Sequence, residues 1–136
     1  MPREFAGKLL AYVAASGAAA EPQDFPGFRV CAALRGPLAK FMGAAGVTAL
    51  LVRALALASV EIPWLRQLRI QADGTLDGVA EMAGKLDARA ITEGEIALVG
   101  HLLGLLVTFI GPALTLGLLH DIWPGWKIEM ADPAIL

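Results

Sequence analysis

The chain has 136 residues and a mass of 14.2 kDa, which is enough material for one modest hydrophobic core. Hydrophobic residues make up 57% of it, above the roughly 45–50% of ordinary globular domains, and charged residues make up only 18%. The formal net charge is −2 and the basic residues are scattered. A nucleic-acid partner is therefore not expected, because such proteins carry a basic patch.

Alanine and leucine supply much of the apolar content, whereas β-branched and aromatic residues are sparse. Alanine and leucine favour helices, and the sparse residue types are those that favour strands. The composition predicts an all-α protein, a compact bundle of about four to five helices around one long central apolar helix. We expect a single helical domain over residues 1–136.

The single cysteine, Cys31, cannot form an internal disulfide and lies in an apolar context, which suits a reducing compartment. Residues 1–20 resemble a secretory signal loosely, but Glu4 and the short apolar run favour an ordinary first helix. The expected location is cytoplasmic, with membrane association left open.

Prolines and glycines divide the whole chain into predicted segments. A short N-terminal helix is predicted over 3–19, a linker over 20–27 and the bundle over 28–123, with a loose tail over 124–136. Within the bundle, Gly36-Pro37 predicts a kink or two short helices, and the segment from Gly43 to Gly46 is a second weak point.

Residues 47–62 form a strongly apolar segment, which predicts a helix that Pro63 stops. The alternation of Leu68, Ile70 and Ala72 with polar residues indicates an extended segment. It has no evident partner strand, so we expect a connector or an edge that pairs with another copy. After a turn at Asp73-Gly74, residues 75–86 predict a short amphipathic helix.

The most apolar stretch runs from Thr92 to Leu119. Thr92 and Glu95 have the spacing of a capping box, which places the start of a helix there. From Leu98 to Leu119 the only ionisable side chain is His101. That length is enough to cross a bilayer, although Pro112 should bend or split the helix.

A stripe of small and polar residues lies along one face of this predicted helix, with spacings of three and four: His101, Gly104, Thr108, Gly111 and Thr115. Two interpretations stay open. The stripe can face water while the leucines face a soluble core, or it can be a groove where another helix approaches closely.

The three tryptophans, Trp64, Trp123 and Trp126, each follow an apolar helix. They are candidates for interface contacts or bundle ends in a soluble protein, and for headgroup anchors in a membrane protein. Arg53 and Glu61 are the charges of the second apolar helix and the candidates for buried charges. The favoured interpretation is that Arg53 extends to solvent and Glu61 lies in water at the helix end.

His101 is a candidate cofactor contact, although a hydrogen-bonded structural histidine is the favoured interpretation. Two histidines and one cysteine cannot by themselves supply a metal site of three or four ligands. Nucleophile-elbow, phosphate-loop, CxxC, HExxH and dinucleotide-binding motifs are missing from the sequence. We therefore expect no metal, no cofactor and no catalytic site.

Three functions follow from the excess of apolar surface. The first is a non-catalytic helical interaction or assembly module, which buries its apolar helices in a homo-oligomer or against a protein partner. The second is a small integral membrane protein with spans at 41–62 and 98–119. The third is a carrier or enzyme with an apolar ligand cavity around His101.

Overall fold

The computed structural model describes residues 2–16 and 25–126. Within them are five α-helices: α1 (Pro2–Ser16), α2 (Pro26–Glu61), α3 (Val79–Ala83), α4 (Ala88–Ile110) and α5 (Pro112–Ile122). A 3₁₀ helix (Pro63–Gln67) and two short strands, β1 (Arg69–Ile70) and β2 (Leu76–Asp77), connect α2 to α3. The predicted all-α bundle is confirmed.

The hydrophobic core forms around α4, which makes its main contacts with α1 and α2. The fully buried leucines come from these three helices, from the 3₁₀ helix and from α5: Leu9, Leu34, Leu38, Leu65, Leu98, Leu102, Leu103, Leu106, Leu116 and Leu119. Because α4 contributes four of them, it is the apolar axis of the bundle.

Helix α4 begins one turn earlier than the capping-box pattern predicts. It starts at Ala88, where the carboxylate of Asp87 accepts the backbone N–H of Ala90 at 2.8 Å. Asp87 is therefore the N-cap. The predicted capping box of Thr92 and Glu95 is wrong, because both residues lie inside the helix.

Helix α2 starts at Pro26, inside the segment predicted to be linker, and passes through Pro37. The break in α2 lies instead at Gly43, whose φ of 76° is a left-handed backbone conformation that favours glycine. The helix continues through Gly36-Pro37, so the alternative of two short helices there is wrong. The weak point predicted from Gly43 to Gly46 is confirmed at Gly43. The predicted stop before Pro63 is confirmed, since α2 ends at Glu61.

The predicted split near Pro112 is also confirmed. Gly111 has a φ of 85° and separates α4 from α5, and Pro112 is the first residue of α5. Proline suits a first helical position because its missing N–H would have no partner there.

The extended segment after the 3₁₀ helix does have a partner strand. Arg69 and Ile70 pair antiparallel with Asp77 and Leu76. The expectation of an unpaired strand is therefore wrong. The helix predicted over 75–86 is reduced to Val79–Ala83, because its first residues form β2. Strands of two residues are too short to give a period in the sequence.

The helix predicted over 3–19 and the tail predicted over 124–136 both extend outside the described residues. Helix α1 matches the first part of the predicted helix 3–19, and its expected residues 17–19 lie outside the described part. Of the predicted tail, residues 124–126 are described, and they form a turn after α5.

Trp64 connects the 3₁₀ helix to the first half of α4 by a hydrogen bond and a packing contact. Its indole N–H donates to the carbonyl of Ala90 at 3.1 Å, and its ring lies directly over Gly94. A Cβ atom added to Gly94 would be 2.3 Å from Cζ2 of Trp64. Only a residue without a side chain allows this approach.

We predict that Gly94→Ala lowers the free energy of unfolding by about 1–3 kcal/mol, because the new methyl group overlaps the Trp64 ring. Chemical denaturation measures the change. Gly7→Ala in α1 is the matched control, since nothing lies within 4 Å of its added Cβ. That change should leave stability equal or slightly higher, because alanine favours helix. Equal effects at both positions would contradict the packing role of Gly94.

Candidate functional site

The second half of α2 and the helix α4 pack side by side in antiparallel directions. Glu61 contacts His101, and Arg53 lines a groove with Phe109. As the residue number rises on one helix, it falls on the other. We call this line of contact the seam.

One end of the seam is polar. The carboxylate of Glu61 accepts hydrogen bonds on both oxygens: Oε1 from Arg3 Nη2 at 2.6 Å, and Oε2 from His101 Nε2. The hydrogen bond from His101, assisted by the charge of Arg3, lowers the pKa of Glu61 below its ordinary value of 4.5. Glu61 therefore carries its negative charge at neutral pH. Through these two hydrogen bonds it links α2 to α1 and α4.

Next to this cluster lies an open groove of about 430 Å³. Apolar side chains and small residues form most of its lining, including Leu57, Leu105, Gly104 and Thr108. A Cβ added to Gly104 would meet nothing within 4 Å. This part of the small-residue stripe therefore faces open space beside the seam.

The structure brings together only part of the predicted stripe. His101, Gly104 and Thr108 line the same groove. Gly111 is the break between α4 and α5, and Thr115 is fully buried, its hydroxyl donating to the carbonyl of Gly111 at 2.8 Å. The prediction of one continuous face is wrong, because the break at Gly111 changes the direction of the helix.

The tryptophans contact the protein's own core. Trp64 packs on α4 as described above, and Trp123 lies partly buried against the core. The Trp126 ring lies 5.1 Å from Phe5 and 6.1 Å from Tyr12, both on α1. Each tryptophan ring therefore packs, at least in part, against other residues of the chain. A role at an interface stays a prediction for all three.

Arg53 and Glu61, the candidates for buried charges, are both exposed. The buried charge is instead Glu95, which is only 3% exposed. Its carboxylate accepts the backbone N–H groups of Gly27 and Phe28 in the first turn of α2. A Cβ added to Gly27 would lie 2.6 Å from Cβ of Glu95, so the two helices meet closely there. Glu95 caps a different helix from its own.

Burial raises the pKa of Glu95 from its ordinary 4.5 to about 7, against the opposing effect of the hydrogen bonds from Gly27 and Phe28. Burial, together with the nearby Glu95, also raises the pKa of Cys31 to about 12. Cys31 lies one turn after Gly27 on α2 and is 3% exposed. The thiol therefore stays neutral, as a buried structural cysteine does.

An apolar band lies beside the seam on its solvent side. It consists of the exposed side chains of Val52, Leu57, Val60 and Phe109, of which Val60 is 75% and Phe109 65% exposed. Phe41, earlier on α2, and Leu114 on α5 are exposed as well.

Arg53 is the only cation in the segment 44–61, and it lies between Val52 and Leu57 on the exposed side. Within residues 2–16 and 25–126, Arg53 makes no hydrogen bond and no ion pair. It borders an apolar groove of about 340 Å³ with Leu50 and Phe109. An unpaired cation therefore lies within an otherwise apolar surface.

Two helices, Pro26–Glu61 and Ala88–Ile110, are long and apolar enough to cross a membrane by length and composition alone. In the most apolar 18-residue stretch of each helix, only 33% and 50% of the residues, respectively, are buried within the chain. Across the described residues, no group of three or more His, Cys, Asp or Glu side chains is placed to hold a metal ion.

Comparison with protein families, with curated proteins and with solved structures finds no match for this chain.

The buried carboxyl group of Glu95 predicts a specific pH dependence. The pKa of Glu95 is higher in the folded protein than in the unfolded chain, so the folded state binds the proton more tightly. Stability should fall as the pH rises from about 4.5 to about 7, by an amount on the order of 3 kcal/mol, and then level off. Glu95→Gln, which keeps the shape and cannot ionise, should remove this fall and unfold at a higher denaturant concentration than wild type at pH 8.

Urea unfolding at a series of pH values measures this effect. Glu93→Gln is the matched control, because it removes the same charge from the exposed side of the same helix. The control should follow the wild-type pH profile. A wild-type stability that rises between these pH values would contradict the burial of an ionisable Glu95.

The cluster at the polar end predicts a second shift. His101→Ala should raise the pKa of Glu61 toward its ordinary 4.5, because the strongest stabilisation of the carboxylate is lost. Titration of the side-chain carboxyl by ¹³C NMR measures it. His120→Ala, an exposed change on α5, should leave the Glu61 pKa where it is. If His101→Ala also leaves it in place, the hydrogen bond does not exist in solution.

Proposed function

We propose that the chain is a self-associating helical assembly module, in which a second copy covers the apolar band beside the seam. The observation that carries the proposal is the position of Arg53, an exposed cation without a described partner in the middle of an apolar surface. A surface that covers these apolar side chains must itself be apolar, and it must also offer a negative group to Arg53.

The apolar side chains are grouped rather than scattered. Val52, Leu57 and Val60 lie on the exposed side of α2, and Phe109 of α4 lines a groove together with Arg53 of that side. Exposed apolar residues that occur singly are normal on soluble proteins, whereas a continuous patch is typical of a binding surface. Gly104 and Thr108 beside the band leave room for a neighbouring helix.

The charge of Arg53 favours a protein over lipid as the cover. An arginine that faces hydrocarbon at the middle of a helix costs about 2.5–3.5 kcal/mol or more. A second copy supplies both matching apolar side chains and the carboxylate of Glu61. A cytoplasmic location accompanies this proposal, supported by the single Cys31, which has no second cysteine in the sequence to form a disulfide with.

The second candidate function is that of a small membrane protein. It is favoured by the length of the apolar side of α2: the 18 residues from 44 to 61 extend over about 27 Å, close to the roughly 30 Å of a bilayer core. The third function, a carrier with an apolar cavity at His101, has less support, because the space there is an open groove.

Sedimentation equilibrium in detergent-free buffer tests the proposal. We expect the wild-type chain to have twice its 14.2 kDa mass at micromolar concentration. Val60→Glu places a charge in the band at a position that is 75% exposed, so the monomer fold should tolerate it. This variant should dissociate at least about tenfold more readily, because the interface would bury an unpaired charge.

The matched control is Ala11→Glu, which adds the same charge at an exposed position of α1 outside the band. It should associate like wild type. A stable, soluble wild-type monomer would overturn the proposal. A chain that leaves solution without detergent and sediments with lipid vesicles after carbonate washing would also overturn it, in favour of the membrane candidate.

A further inference from the structure

The structure also specifies how the second copy is oriented. We infer that the two copies pack their α2 helices antiparallel about a two-fold axis at Leu57, so that Arg53 of each copy pairs with Glu61 of the other. This inference rests on the proposed self-association and adds its geometry.

Arg53, Leu57 and Glu61 follow one another at intervals of four residues. They therefore form one row on α2, with about 6 Å between successive members. All three are exposed, and Leu57 lies midway between the two charges. The row thus has a positive end, an apolar centre and a negative end.

Such a row is self-complementary in only one direction. If two copies pack parallel, Arg53 faces Arg53 and Glu61 faces Glu61, and both contacts are repulsive. If they pack antiparallel with Leu57 against Leu57, each Arg53 faces a Glu61, and two opposite-charge pairs form. A two-fold axis makes both pairs equivalent, as is usual for homodimers.

Glu61 has room for the additional donor. One oxygen accepts from Arg3 and the other from His101. An ionised carboxylate offers about four acceptor positions, so a third donor can bind without displacing the first two. Arg53 has no described partner to lose.

Cysteine cross-linking tests the register. Residues at the two-fold axis face their own copies, so Leu57→Cys should form a disulfide between two chains on mild oxidation with diamide. Val60→Cys is the control. In the antiparallel register its two copies are separated by about 9 Å along the helix axes, which is too far for a disulfide. The wild-type chain, whose single cysteine is the buried Cys31, provides the background.

The outcomes separate the inference from the proposed function. Rapid cross-linking of Leu57→Cys alone supports the antiparallel register. Equal cross-linking at both positions indicates parallel helices and overturns it. If the chain sediments as a dimer but Leu57→Cys does not cross-link, the register is wrong while the proposed function stands. If the chain is a monomer, both fail.

A charge reversal gives an independent test that does not depend on a cysteine. Arg53→Glu would place two negative charges together at each end of the contact, and the dimer dissociation constant should rise more than tenfold. Arg66→Glu is the matched control, since Arg66 is exposed in the 3₁₀ helix outside the row. Its dissociation constant should match that of wild type. A dimer that tolerates Arg53→Glu as well as Arg66→Glu overturns the pairing.

Discussion

The carboxyl group of Glu95 is held between the centre of the bundle and the first turn of α2, where it accepts backbone N–H groups that no residue of α2 itself satisfies. A helix start buried without such a partner would be unstable. Because Gly27 has no side chain, α2 approaches α4 closely enough for this contact. This contact therefore helps to fix the position of the first half of α2 against α4.

The two carboxyl groups at the α2–α4 contact lie in different surroundings, which shift their pKa values in opposite directions. At Glu95 the carboxyl group is removed from water, and its pKa rises to about 7. At Glu61 the carboxylate stays in water beside Arg3 and His101, and its pKa falls. The Glu95 carboxyl group makes the stability of the fold depend on pH near neutrality. The Glu61 carboxylate joins three helices by hydrogen bonds, and it keeps its negative charge near neutral pH.

The exposed side of the α2–α4 pair is the surface for which we propose a partner. The core buries the leucines of α4, yet the row of Arg53, Leu57 and Glu61 remains open. A surface that is apolar at its centre and oppositely charged at its ends is well suited to a second copy of itself. Association, rather than chemistry at a pocket, is the function that we propose for this surface.

The sequence by itself determined the helical class, the stop before Pro63 and the split at Pro112, because composition and proline act within a few residues of the chain. Only the tertiary structure decided the partners of Glu95, Trp64 and Glu61. Glu95 and Thr92 had the spacing of a capping box, but Asp87 is the N-cap of their helix. Glu95 instead caps α2, through the backbone N–H of Gly27, which lies 68 residues earlier in the chain. Pairings across such separations leave no local pattern, since they depend on how whole helices pack.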